Sequence, residues 1–87
     1  MIELDEYARK VGVSVEDMLS RSRKTEFVIA RQVYWFYLRS NNIGFREIER
    51  RFGWDHATVL HGVKKVRDYI WTKDEYLEKY LKAIGYN

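Results

Sequence analysis

Apolar residues along the first half of the chain return every three or four positions and nowhere alternate for long, a pattern that predicts helices and no strand. Ile2, Tyr7, Ala8 and Val11 make one face of a first helix over roughly Ile2 to Val11, and Gly12 ends it. Ser14 then caps a short helix, with Asp17 three residues on in capping-box spacing and Met18 and Leu19 as its apolar residues. After the basic stretch SRSRK, Ser20 to Lys24, Thr25 is expected to cap a third helix. That helix, EFVIARQVYWFYLR from Glu26 to Arg39, has Ile29, Val33 and Phe36 on one face and Phe27, Tyr34 and Leu38 on another. A helix apolar all round belongs at the centre of a bundle.

In the second half, Asn41, Asn42 and Gly44 form a loop, after which Phe45, Ile48 and Phe52 recur at helical spacing. Ile43 is placed to staple onto Ile48. The outer side of this helix combines a Glu47–Arg51 pair at i,i+4 with a like-charge column of Arg46 and Arg50. Gly53 breaks it, and a further helix begins near Asp55. At about 100° per residue, Val59, Val63, Val66 and Ile70 fall on one stripe with Leu60 at its edge, while Thr58, His61 and Lys65 lie opposite, flanked by Lys64 and Asp68. Thr72 with Glu75 reads as another capping box, opening a last helix with Tyr76, Leu77, Tyr80, Leu81 and Ile84 on its buried face and Gly85 at its end. The expected fold is all-α, one domain over residues 1–87, a bundle of about six helices containing a helix-turn-helix over about residues 44–70.

Composition narrows the function. With 87 residues, 46% hydrophobic and 16% aromatic, the chain has enough for one packed core and little room for a catalytic module. It contains no cysteine, no apolar run long enough to cross a bilayer and no basic start with a cleavage site, so a cytoplasmic protein without disulfides is expected. Its charge of +3 is unevenly spread: Arg21 to Arg67 holds 11 basic against 4 acidic residues, a balance of +7, whereas residues 1–20 carry −3 and residues 68–87 carry −1. A basic middle of this kind is the footprint of a polyanion binder. His56 and His61 stand about 140° apart around a helix and no Ser–His–carboxylate layout is evident, so no enzyme, metal, cofactor or small-molecule substrate is expected.

A helix-turn-helix sets the first residues of its second helix against base edges in the major groove, here Asp55, His56, Ala57 and Thr58. Asp55 also reads as the N-cap, a role compatible with base contact. Arg31 and Gln32 interrupt the apolar third helix in its first turns, where unpaired N–H groups meet phosphate, although Arg31 on a buried helix also suits snorkelling. Double-stranded DNA is the expected partner.

These residues resemble the C-terminal DNA-binding domain, domain IV, of the bacterial chromosomal replication initiator DnaA. Most specific is DHATVLH, Asp55 to His61, similar to the family's DHTTVLH, supported by ARQ at Ala30 to Gln32, by REIERRFG before the turn and by SRSRK before the central helix. The resemblance implies a Trp-repressor-like helix-turn-helix bundle that grips a nonanucleotide DnaA box, with the basic loop in the minor groove and the second helix in the major groove. It implies Arg23 as the minor-groove arginine, Asp55, His56 and Thr58 as readers of bases, and Arg31, Gln32, His61 and Lys65 as phosphate contacts. Lys24 and Lys64 join the phosphate set as neighbouring cations.

The departures mark a diverged member. Where the family usually has GGRDHTT this chain has GWDHAT: the turn is one residue shorter, Trp54 replaces an arginine, and Ala57 replaces a threonine. Ala57 is still suited to a thymine methyl, and Trp54 to packing under the turn or against a sugar. Arg46 stands where the family often carries proline and offers an extra phosphate or guanine contact. No GxxxxGK[ST] phosphate loop is present, so origin melting needs an ATPase module or other replication protein, supplied in trans or by a full initiator of which this is a part. Binding as a monomer, in the bacterial or phage nucleoid, is expected. The competing readings are an unrelated helix-turn-helix regulator with another operator, and a module whose basic face binds an acidic protein.

Overall fold

Six α-helices follow one another in a computed structural model that describes residues 1–86. They are α1 (Leu4–Val11), α2 (Val15–Leu19), α3 (Thr25–Ser40), α4 (Phe45–Phe52), α5 (His56–Thr72) and α6 (Glu78–Ala83), with a 3-10 turn at Glu75–Leu77 leading into the last. No strand occurs among the described residues, so the fold is the all-α bundle expected. Its centre is α3, which buries Ile29, Ala30, Val33, Tyr34, Trp35, Phe36 and Leu38 and packs against α1, α2, α4, α5 and α6. Aromatic rings fill the space on one side of it: Tyr34 lies 5.0 Å from Tyr7 and 6.2 Å from Phe52, and Trp35 meets Phe52 edge to face at 5.8 Å.

Several helix starts differ from expectation, each for a local reason. Ile2 stays outside α1 because its N–H donates to the Tyr37 hydroxyl at 2.6 Å and its carbonyl accepts from the Tyr34 hydroxyl at 2.8 Å. The chain is thereby drawn along α3, and Glu3 becomes the N-cap. Ser14 does cap α2, accepting from the Asp17 N–H at 3.0 Å. Thr25 does not cap α3: Ser22 Oγ accepts the Lys24 N–H, Lys24 takes the cap position without a side-chain bond, and Thr25 is already helical.

The expected Thr72–Glu75 box is also absent, since α5 runs on through Thr72 and its hydroxyl donates back to the Tyr69 carbonyl at 3.2 Å. Lys73 closes α5 in the left-handed region at φ 57°, and Asp74 caps the 3-10 turn by accepting the Tyr76 N–H. The insertion of that turn rotates Tyr76 outwards, 53% exposed, while Leu77, Tyr80 and Ile84 keep the buried face.

Two glycines position the α4–α5 pair. Gly53 ends α4 at φ 69°, its N–H donating to the Glu49 carbonyl at 2.7 Å, and this left-handed residue turns the chain into α5 within three residues. Gly62 sits where α5 crosses α3, and a Cβ there would stand 2.9 Å from Trp35 Cε3 and 3.0 Å from Gln32 Cγ. Its missing side chain lets the two helices approach, with Val59, Val63 and Val66 buried beside it.

Candidate nucleic-acid interface

The amino end of α5 is built to present polar groups outwards. Asp55, in extended conformation at φ −75° and ψ 164°, caps the helix by accepting the Thr58 N–H at 3.2 Å. Hydrogen bonding from Thr58 holds the Asp55 carboxyl below its ordinary pKa, and the Arg21 guanidinium adds to this. Asp55 is therefore an exposed, ionised acceptor at a helix N-terminus, a place the helix dipole favours for negative charge.

His56 beside it is held in one orientation by α4. Its Nδ1 lies 2.7 Å from Glu49 Oε2, and its ring meets Phe45 edge to face at 5.6 Å. An ionised carboxylate only accepts, so Nδ1 carries the hydrogen and Nε2 is left facing away as an acceptor while the ring is neutral. Glu49 did not stand out in the sequence, and Phe45 did so only as an apolar residue of its helix, because their link to His56 crosses the turn. Ala57 is exposed and Thr58 half-buried, the latter sharing a cleft of about 250 Å³ with Arg23, Gln32, Trp35 and Trp54.

The basic loop between α2 and α3 is organised by Arg31. Against the expectation of a phosphate contact, Arg31 is 3% exposed and turned inwards. Its Nε donates to the Met18 carbonyl at 2.9 Å, Nη1 to Ser22 at 3.1 Å, and Nη2 to Ser20 at 3.0 Å and Asp17 at 3.3 Å. Loss of hydration on burial lowers its pKa, with the nearby Arg21 charge adding to the effect. The inward turn supplies donors to the Met18 carbonyl at the end of α2 and to the loop carbonyls of Ser20 and Ser22, while the Asp17 carbonyl also accepts from the Ser20 N–H and hydroxyl. Arg31 thus holds the loop in place, and Arg23 and Lys24 project from it exposed.

The other basic candidates are distributed around this centre. Lys24 pairs with Glu26 at 3.0 Å. Gln32 is half-buried on the cleft, and Arg46 is exposed in the first turn of α4. The like-charge column expected of Arg46 and Arg50 is relieved, because Arg50 swings back to join Arg51 on Glu47. Hydrogen bonds from Arg50, and then Arg51, pull the Glu47 carboxyl down to about 2. His61, Lys64 and Lys65 are exposed along α5 and form no ion pair among the described residues. No cluster of three or more metal-ligating side chains occurs among the described residues, and no helix there is long and apolar enough to cross a membrane.

Comparison with known proteins places this arrangement. Residues 4–66 match the family described as "Bacterial dnaA protein helix-turn-helix". Among curated relatives, the chromosomal replication initiator protein DnaA of Bartonella quintana (strain Toulouse) is 39% identical over 79 residues, 88% of this chain and 16% of that protein. The protein of the same name from Rhodopseudomonas palustris (strain TIE-1) is 37% identical over the same shares. That of Oenococcus oeni is 36% identical over 63 residues, 70% of this chain and 14% of its own length. The chain thus spans only about a sixth of the length of these relatives. No solved structure matches it. With a match that takes in the loop, all of α4, α5 as far as Val66 and the DHATVLH run, the chain belongs to the bacterial DnaA helix-turn-helix family of C-terminal DNA-binding domains.

Proposed function

We propose that this chain binds duplex DNA at a nonanucleotide box of DnaA type, as a monomer, in chromosome replication initiation or its regulation in the bacterial cytoplasm. The observation that carries this reading is the shared cleft of Arg23 and Thr58, which brings the basic loop and the first turn of α5 to one side of the molecule. A helix in the major groove and an arginine in the neighbouring minor groove require that proximity.

Asp55 and the Nε2 of His56 accept from exocyclic amino groups, and Ala57 contacts a thymine methyl. Thr58 and Arg46 border these contacts. Lys24, Gln32, His61, Lys64 and Lys65 meet phosphates and release counterions. Arg31 acts one step back by holding the loop. Strand melting belongs to a partner, an ATPase module or other replication protein.

The deciding measurement is fluorescence anisotropy with a box duplex and a scrambled duplex at two salt concentrations, on the wild type and on His56→Ala. The wild type should prefer the box, and His56→Ala should lose about 1–3 kcal/mol on the box and little on the scrambled duplex. Equal, salt-sensitive binding to both duplexes would point to a different operator. Absence of binding to either would favour an acidic protein partner.

A further inference from the structure

Arg21 lies outside every role assigned above, yet it occupies the corner where the loop meets the helix-turn-helix turn. Its Nη2 donates to the Gly53 carbonyl, across 32 residues of sequence, and its guanidinium carbon stands 4.2 Å from the centre of the Trp54 ring. The Arg31 guanidinium is 5.3 Å from the centre of the same ring. Trp54 in turn meets Trp35 edge to face at 6.3 Å, which ties it to α3. The indole N–H groups of Trp35 and Trp54 are both buried without a hydrogen-bond partner among the described residues, so packing and cation–π attraction hold Trp54 in place. Two like charges share this corner, offset by the electron-rich indole between them, by the Asp55 carboxylate near Arg21 and by the carbonyls around Arg31.

We propose that Arg21 and Trp54 form a latch that sets the basic loop against the start of α5, so that Arg23 and Asp55–Thr58 are offered to duplex DNA as one preset unit. The proposal rests on the DNA-binding reading above and adds to it the positioning residues that couple its two halves. The shortened turn fits this role, since Gly53 and Trp54 together supply both the carbonyl and the ring that Arg21 grips. Only a planar guanidinium can stack on the ring and donate in its own plane at once, so a lysine should not substitute. An ordinary phosphate contact, by contrast, would accept lysine as a point charge. The geometry favours the latch because Arg21, although exposed, already donates one N–H to the Gly53 carbonyl and sets its guanidinium over the Trp54 ring.

Two measurements on the full 87-residue chain test this. Amide hydrogen exchange without DNA should show Ser22–Lys24 and Gly53–Asp55 exchanging at least about tenfold faster together in Arg21→Ala, and equally in Arg21→Lys, with Val59–Val66 unchanged. Duplex affinity should then show coupling: Arg23→Ala costs about tenfold in the wild type and less than about threefold in the Arg21→Ala background. Unchanged exchange in Arg21→Ala would overturn the latch, as would independent, multiplying effects of the two substitutions or wild-type behaviour of Arg21→Lys. Failure of the wild type to bind any duplex would sink the DNA reading instead, and the exchange result would still decide whether the two segments are tied.

Discussion

The two long helices, α3 with 16 residues and α5 with 17, meet at Gly62 and use their surfaces in opposite ways. α3 turns nearly everything inwards, including the one arginine in its second turn. α5 buries a single stripe of Val59, Val63 and Val66 and leaves His56, Ala57, His61, Lys64 and Lys65 exposed. Buried apolar surface is therefore concentrated on one helix and exposed polar groups on the other, and substitutions should sort accordingly.

The largest effect is expected from Trp35→Ala on α3, a loss of about 3–5 kcal/mol in denaturant unfolding, because the ring is 1% exposed and borders Phe52, Trp54 and Gly62. A cost below about 1 kcal/mol would show that α3 is not the centre of stability. Next comes Gly62→Ala, which tests the meeting of the two helices directly. Alanine gains up to about 1 kcal/mol in helix propensity, but forcing a methyl against the indole costs about 1–3 kcal/mol, so a net loss is expected. A stabilised variant would mean that α3 and α5 stand further apart than described.

On the outer face of α5, Lys65→Ala should change stability by less than about 0.5 kcal/mol while weakening all duplexes alike and flattening the salt slope by about one unit. A loss confined to one sequence would move Lys65 among the base readers. The smallest effect is expected at Glu47, half-buried on α4, whose carboxyl is lowered from the usual 4.5 to about 2. A depressed folded-state value contributes stability above pH 4.5 that is lost as pH falls towards 2, so Glu47→Gln should flatten that part of the acid limb slightly. An unaltered acid limb would leave the Arg50 and Arg51 contacts without energetic weight.

Much of the fold was legible because its signals are local. Gly12 and Gly53 end helices in left-handed conformation, Ser14 caps, and the ring of apolar residues on α3 allows only a central position. Errors arose where neighbouring residues compete for a boundary, as at Thr25 and Thr72, or where a short 3-10 turn shifts the face that Tyr76 presents. At the interface, the DHATVLH run located the exposed end of α5. The inward turn of Arg31, the Glu49 carboxylate on His56 and the Arg21–Trp54 stack were not legible, because each depends on groups brought together only by the tertiary fold.

Arg31 grips the end of α2 and the loop after it through carbonyl oxygens alone, at Asp17, Met18, Ser20 and Ser22. Every residue type supplies the same oxygen, so this grip is indifferent to which side chains the loop bears. The loop's own side chains can therefore be exchanged without moving its backbone, because the one buried arginine that fixes its path never touches them.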